Sequence, residues 1–211
     1  MGSGALEAGE TRMAPKNASH KTNAGSQILE KHRFQFLRYG HLFASVMREI
    51  LEVQFLEEVT PHSLTLQQFY VLKVIALNGV HQVGEVAVFL GMSPPAATKN
   101  IDKLHRLGLV LRNPSKGDRR ATLISPSAKG RRLVQEYETL KADRLSPVLE
   151  KFRPEEIDRL ARLLKRLSLS IIRLEDTGEG LCLWCAAYCE ENCPVARIRG
   201  GCPFAKLRGA A

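Results

Sequence analysis

A mainly helical domain carrying one small β-hairpin, with a long helix on either side, is the fold class that this 211-residue chain predicts. Three observations lead to it. Apolar residues recur at spacings of three and four through most of residues 27–175, the period of helices with one buried face. The clearest departure is a pair of short apolar runs, Leu109-Val110-Leu111 and Ala121-Thr122-Leu123-Ile124, joined by a polar, glycine-containing loop, which is a hairpin signal. All five cysteines lie beyond residue 181, outside the periodic region, and a 44% apolar fraction is enough for a real core.

The elements follow in order. Residues 1–25 are rich in Gly, Ala, Ser, Asn and Thr without apolar periodicity and are expected to form a mobile tail. From Gln27 to Glu58, Leu29, Phe36, Leu42, Val46, Ile50, Val53 and Leu56 mark a long first helix, ended by Pro61. Thr65 is placed to cap a helix with Phe69, Leu72, Ile75 and Ala76 on one face, stopped at Asn78-Gly79. A short helix over Val83–Leu90 buries Val83, Val86, Ala87 and Leu90, and Gly91 supplies its left-handed stop. Ser93 caps the next helix with Pro94 at its first position, where the missing N–H has no helical partner to lose. That helix hides Ala97, Ile101 and Leu104 and ends at Gly108. Three short helices joined by tight turns make a helix-turn-helix unit, and the hairpin follows it. Ser125-Pro126 is expected to cap a further helix past Leu133 and Tyr137, with a bend or break at Pro147. A last helix, about Pro154 to Leu174, carries a wide stripe of Ile157, Leu160, Leu163, Leu164, Leu167, Ile171 and Leu174. Asp176 to Gly180 reads as a hinge into the cysteine tail, residues 176–211.

The formal charge is +9, and between Leu64 and Leu133 eleven Lys or Arg face only Glu85, Asp102 and Asp118, a surplus of eight in one third of the chain. Such a concentration favours a polyanionic partner. No stretch approaches the length of a membrane span, and the N-terminus lacks the basic-then-apolar order of a signal peptide, so a cytoplasmic protein is expected. Glycine-rich phosphate loops, a Ser/His/Asp arrangement and paired carboxylates in a definable pocket are not discernible, and no enzyme is expected.

Leu64-Thr65 with Gln68-Phe69, Glu85-Val86-Ala87 with Leu90-Gly91, Ser93 to Leu104, Gly108-Leu109-Val110, Gly117-Asp118-Arg119-Arg120-Ala121 and Ala128-Lys129-Gly130 together resemble a MarR-type winged helix-turn-helix. The match in order and spacing covers residues 64–133, the DNA-binding core, within a winged-helix domain of residues 26–175. Residues 27–58 and 134–175 would then supply dimerisation helices. The Asp118-Arg119-Arg120 run before a strand and a Lys-Gly helix start is the most specific part.

Independently of the resemblance, the solvent face of the third short helix offers Ser93, Pro95, Ala96, Thr98, Lys99, Asp102 and Lys103. Thr98 can bond a base edge or phosphate, Lys99 can reach guanine acceptors or phosphate, and Pro95 or Ala96 can touch a thymine methyl. Asn100 and Lys103 flank them. The hairpin adds Arg112, Lys116, Arg119 and Arg120, a tip suited to a narrow minor groove. The resemblance implies that Arg120 enters the groove and that Asp118 holds the wing by pairing with a neighbouring Arg. It also implies a symmetric homodimer, which the width of the Ile157–Leu174 stripe supports, reading a pseudo-palindromic double-stranded DNA site.

Cys182, Cys185, Cys189, Cys193 and Cys202 read as ligands of one metal or cluster site. On one unbroken helix the first four would share a face but span about 16 Å, too far for a single centre. An iron-sulfur cluster, 4Fe-4S in the first instance, tolerates such irregular all-cysteine spacing. Zinc, which favours paired knuckles or His partners, and a thiol-disulfide switch are the alternatives. Two functions stay open: a regulator tuned by a redox-, oxygen-, nitric oxide- or iron-sensing cluster, and one answering a small-molecule effector with a structural zinc tail. An electron carrier on a helical scaffold leaves the basic wing without a role.

Overall fold

The computed structural model describes residues 19–60, 63–114 and 122–174. The chain divides into two units, Met1–Arg48 and Glu49–Ala211. In the first lies α1, Ser19–Val46. It begins before Gln27, where apolar periodicity starts, because extending an established helix costs little once it is nucleated. Its Phe34, Phe36, Leu37, Leu42, Phe43 and Val46 are all exposed.

The second unit opens within a π-helical segment, Met47–Gln54, followed by α2, Phe55–Val59. The single helix expected up to Glu58 is therefore interrupted by wider turns. Leu51, Phe55 and Leu56 are buried, and the Tyr137 hydroxyl donates to the Leu51 carbonyl at 2.8 Å.

The centre of this unit is α3, Leu66–Asn78, opened by reciprocal bonds between Thr65 and Gln68, both 3.2 Å. It was expected to bury one face. Instead every residue from Phe69 to Ile75 is buried, because other elements surround it. Burying each large side chain fully contributes about 1.5–3 kcal/mol before ordering costs. The exception in kind is Lys73, whose ammonium lies 2.6 Å from Glu138 Oε1, while Lys141 lies 3.2 Å from Oε2. Burial alone would raise the Glu138 carboxyl, but hydrogen bonds and charge from Lys73, then Lys141, outweigh it and hold the group below its ordinary range. Lys73 thus belongs to the core and not to the basic surface in which the sequence count placed it.

Around α3 stand β1, His81–Gln82; α4, Val83–Leu90; α5, Pro94–Arg106; β2, Val110–Pro114; β3, Thr122–Pro126; and α6, Ala128–Leu149. The strands form an antiparallel sheet in the order β1-β3-β2, with His81 opposite Ile124 and Arg112 also opposite Ile124 on its other side. A two-residue β1 was not foreseen, since so short a segment has no alternation to detect. Its His81 is buried, edge-on to Phe89 with ring centroids 5.4 Å apart, and burial lowers its pKa despite the opposing charge of Glu85, whose Oε2 lies 3.6 Å from Nδ1.

Two expectations about α6 need correction. Its cap is Ser127, whose Oγ accepts from Gly130 N at 2.9 Å, whereas Ser125 and Pro126 are strand residues. Pro147 lies inside the helix, so the break expected there comes only after Leu149; its ring removes the N–H that would bond the Asp143 carbonyl.

The last helix, α7, spans Pro154–Ile172. None of its residues is buried: Leu160, Leu163, Leu167 and Ile171 are exposed, as is Leu174 beyond it. No helix among the described residues is long and apolar enough to cross a membrane.

Candidate nucleic-acid interface

The local chemistry of α4 and α5 sets one helix out from the domain. Glu85 Oε2 accepts from Gln82 N at 2.8 Å and fixes the start of α4. Gly91, at φ 57° and ψ 38°, ends it in the left-handed conformation that side-chain-bearing residues avoid. Ser93 then accepts from Ala96 N at 3.4 Å, and Pro94 begins α5. Ala97, Ile101 and Leu104 are fully buried at spacings of four and three, so the opposite face must point outward.

On that outward face Ser93, Pro95, Thr98 and Lys99 are exposed, and Ala96, Asp102 and Lys103 are half-buried. Thr98 Oγ1 donates to the Pro94 carbonyl at 2.9 Å, which fixes its rotamer and leaves the oxygen's lone pairs able to accept. Asn100 is half-buried with its amide 3.8 Å from the Met92 sulfur, turned toward the α4–α5 turn instead of extending outward.

The hairpin begins directly after α5. Gly108, at φ 72°, reverses the chain, and Leu109 and Val110 anchor β2 in the core. Ser127 and Lys129 secure the turn from the far side: Ser127 Oγ donates to Gly108 O at 2.7 Å, and Lys129 Nζ to Leu107 O at 3.1 Å. Gly130 allows α6 to come close, since a Cβ there would stand 2.0 Å from Leu109 O. Higher on β2, Arg112 forms an ion pair with Asp102 of α5, a link the sequence did not suggest. Asn113 Nδ2 reaches Ser125 Oγ across the strands at 3.5 Å.

Lys116, Asp118, Arg119 and Arg120 lie outside the described residues, as do Cys182, Cys185, Cys189, Cys193 and Cys202. Among the described residues, no three His, Cys, Asp or Glu side chains converge on a metal-sized site. Lys99 is exposed on the reading face and Arg131 and Arg132 at the start of α6, while the exposed Arg106 and Lys129 donate to the Asp102 and Leu107 carbonyls.

Residues 62–121 match the family model described as MarR family. Solved structures share the wider fold. A MarR family protein from Bacillus stearothermophilus is 24% identical, with 68% of this chain and 97% of that chain covered and a TM-score of 0.56. YusO from Bacillus subtilis is 23% identical, covering 68% of this chain and 96% of its own, with a TM-score of 0.54. FabT from Streptococcus pneumoniae, solved in complex with DNA, is 18% identical over 66% of this chain and 99% of its own, with a TM-score of 0.57. The architecture is a winged helix-turn-helix with long flanking helices.

Proposed function

We propose that the chain is a transcriptional regulator that binds double-stranded DNA as a homodimer, with α5 in the major groove and the β2–β3 hairpin along the backbone. The carrying observation is a short helix held by three buried residues, with Thr98 and Lys99 exposed on the opposite face and a hairpin bonded to its flank. A helix of this width fits the major groove, where base edges present a distinct pattern for each pair. The family match over residues 62–121 and the DNA complex of FabT support the same assignment.

In this mechanism Lys99 and the nearby cations supply sequence-independent affinity by displacing counterions, and Thr98 with Pro95 and Ala96 contributes base-edge contacts. The unburied apolar stripes of α1 and α7 favour a second copy as their cover, because so many large exposed side chains on two helices exceed what a monomer leaves in water. Two copies of α5 one helical turn apart would read a pseudo-palindrome. The cysteine string adds regulation: a cluster held by four of the five thiols, 4Fe-4S by its all-cysteine spacing, would shift the dimer between arrangements that fit and misfit the two half-sites.

Fluorescence anisotropy with duplex DNA tests the first part. Lys99→Ala should weaken binding and lower the salt dependence by about 0.9 for each lost phosphate contact. An unchanged affinity in a folded variant would refute it. Iron and sulfide analysis of protein purified without oxygen tests the second; a colourless, zinc-containing protein would replace the cluster by a structural clasp.

A further inference from the structure

Asp102 stands on α5 one turn beyond Thr98 and Lys99, in the row of side chains assigned to the groove. A carboxylate there faces phosphates that repel it. Its charge is instead taken up by Arg112 of β2, while its own carbonyl accepts from Arg106 Nε at 3.4 Å. The two side chains of the pair are 45% and 33% exposed, so the bond adds little to folding stability. What it does change is the electrostatics of the reading face and the freedom of one arginine. Unheld, Arg112 would be a long, flexible cation beside the groove, able to find any phosphate.

Resting on the DNA-binding function above, we propose that Asp102 is a positioning residue that sets specificity. It holds the Arg112 guanidinium against the recognition helix, so that Arg112 stiffens the joint between helix and wing and adds no sequence-blind affinity. One Asp102 carboxylate oxygen is engaged by Arg112, which draws the carboxylate toward the wing and away from the base edges. Helix and wing then meet DNA as one body, and a sequence that misplaces either loses both.

The experiment uses the full chain, a duplex selected by it from a random pool, and a scrambled duplex of the same composition, titrated between 50 and 200 mM salt. Asp102→Asn should bind the scrambled duplex more tightly at low salt. Each freed Arg112 should steepen the log–log slope by about 0.9, roughly a further threefold loss of affinity across that salt range. The preference for the selected duplex should fall, and Asp102→Asn with Arg112→Gln should restore the original slope, which a merely structural role would not do. Arg112→Gln alone bares the Asp102 carboxylate and should weaken both duplexes more than the double variant does; a double variant with a slope flatter than the unaltered chain's would mean that Arg112 already contacts phosphate and would overturn the proposal. An unchanged slope and preference in Asp102→Asn would also overturn it, while Lys99→Ala still weakening both duplexes would leave the DNA-binding function standing. If the unaltered chain selects no duplex, both fall together.

Discussion

Replacing Lys73 by Met separates charge that serves the core from charge that serves DNA. By composition Lys73 is one of eleven basic residues in the DNA-binding third of the chain. By position its side chain is 3% exposed and its ammonium lies 2.6 Å from Glu138, whose side chain is 34% exposed. Removing one partner of a fully buried ion pair costs about 3–5 kcal/mol, because the other charge is stranded. Here the stranded carboxylate is one-third exposed and keeps Lys141 at 3.2 Å, and methionine refills most of the lysine stem. The cost should therefore fall to about 1–2 kcal/mol. In a chain of this size that lowers the melting temperature by about 2–8 °C. Glu138→Ala, which takes the carboxylate from two lysines at once, should cost more, about 3 kcal/mol. The Glu138 carboxyl is held below its ordinary range, so the pair's contribution is present at neutral pH and is lost only as pH drops below about 4.3. Urea unfolding at pH 7 measures the stability, and anisotropy over a salt series measures the DNA contact. Lys73→Met should leave the salt slope unchanged. A slope reduced as much as in Lys99→Ala would show that Lys73 faces phosphate and would refute its assignment to the core.

Three further outcomes are expected. Gly130→Ala places a methyl 2.0 Å from the Leu109 carbonyl, so helix or turn must shift; a loss of about 1–3 kcal/mol in urea, with weaker DNA binding, checks this. The buried His81 favours its neutral form when folded, whereas the unfolded chain takes up the proton near pH 6.5, so stability should decline as pH falls from about 6.5. In His81→Gln that decline between pH 6.5 and 5 should flatten; an unaltered profile counts against it. Leu163→Asp with Leu167→Asp puts two charges on the exposed stripe of α7 and should give a folded monomer by light scattering, whereas a persistent dimer would place the interface elsewhere.

What could be foreseen was what is encoded locally. Thr65, Ser93 and Gly91 act at helix ends through chemistry confined to three or four neighbours, and the buried triad Ala97, Ile101 and Leu104 follows from the helical period. Ser125-Pro126 was misleading because a residue before proline is driven to extended backbone, which suits a helix cap and a strand alike. Pairing of Pro126 with Val110 decides for the strand, and that partner is distant in sequence. Distance hides the other features as well. Lys73 is buried only because Glu138 comes from α6, Arg112 is held only because Asp102 lies across on α5, and α3 is covered all round only because four other elements choose it as their core. The outward face of α5 was legible, but not which of its charges were already engaged.

The junction between the reading head and α6 shows why those engagements matter together. The turn that follows α5 has carbonyls outside any helical ladder. There Leu107 O accepts from Lys129 Nζ, Gly108 O from Ser127 Oγ, and Leu109 O from Ser127 N at 3.1 Å. Three successive carbonyls are thus satisfied by the first turn of α6, each bond contributing about 1 kcal/mol net. Facing an N-terminus, with its partial positive charge, they also sit favourably against its dipole. Gly130 closes the remaining gap, so a tilt of α6 cannot be absorbed by empty space beside Leu109. It has to break these bonds or carry the turn with it, and the turn holds both the end of α5 and the root of β2. With Arg112 bound to Asp102 above, helix and hairpin are fixed to each other at two levels and to α6 at one. The end of α5, the root of β2 and the first turn of α6 thus form one hydrogen-bonded junction.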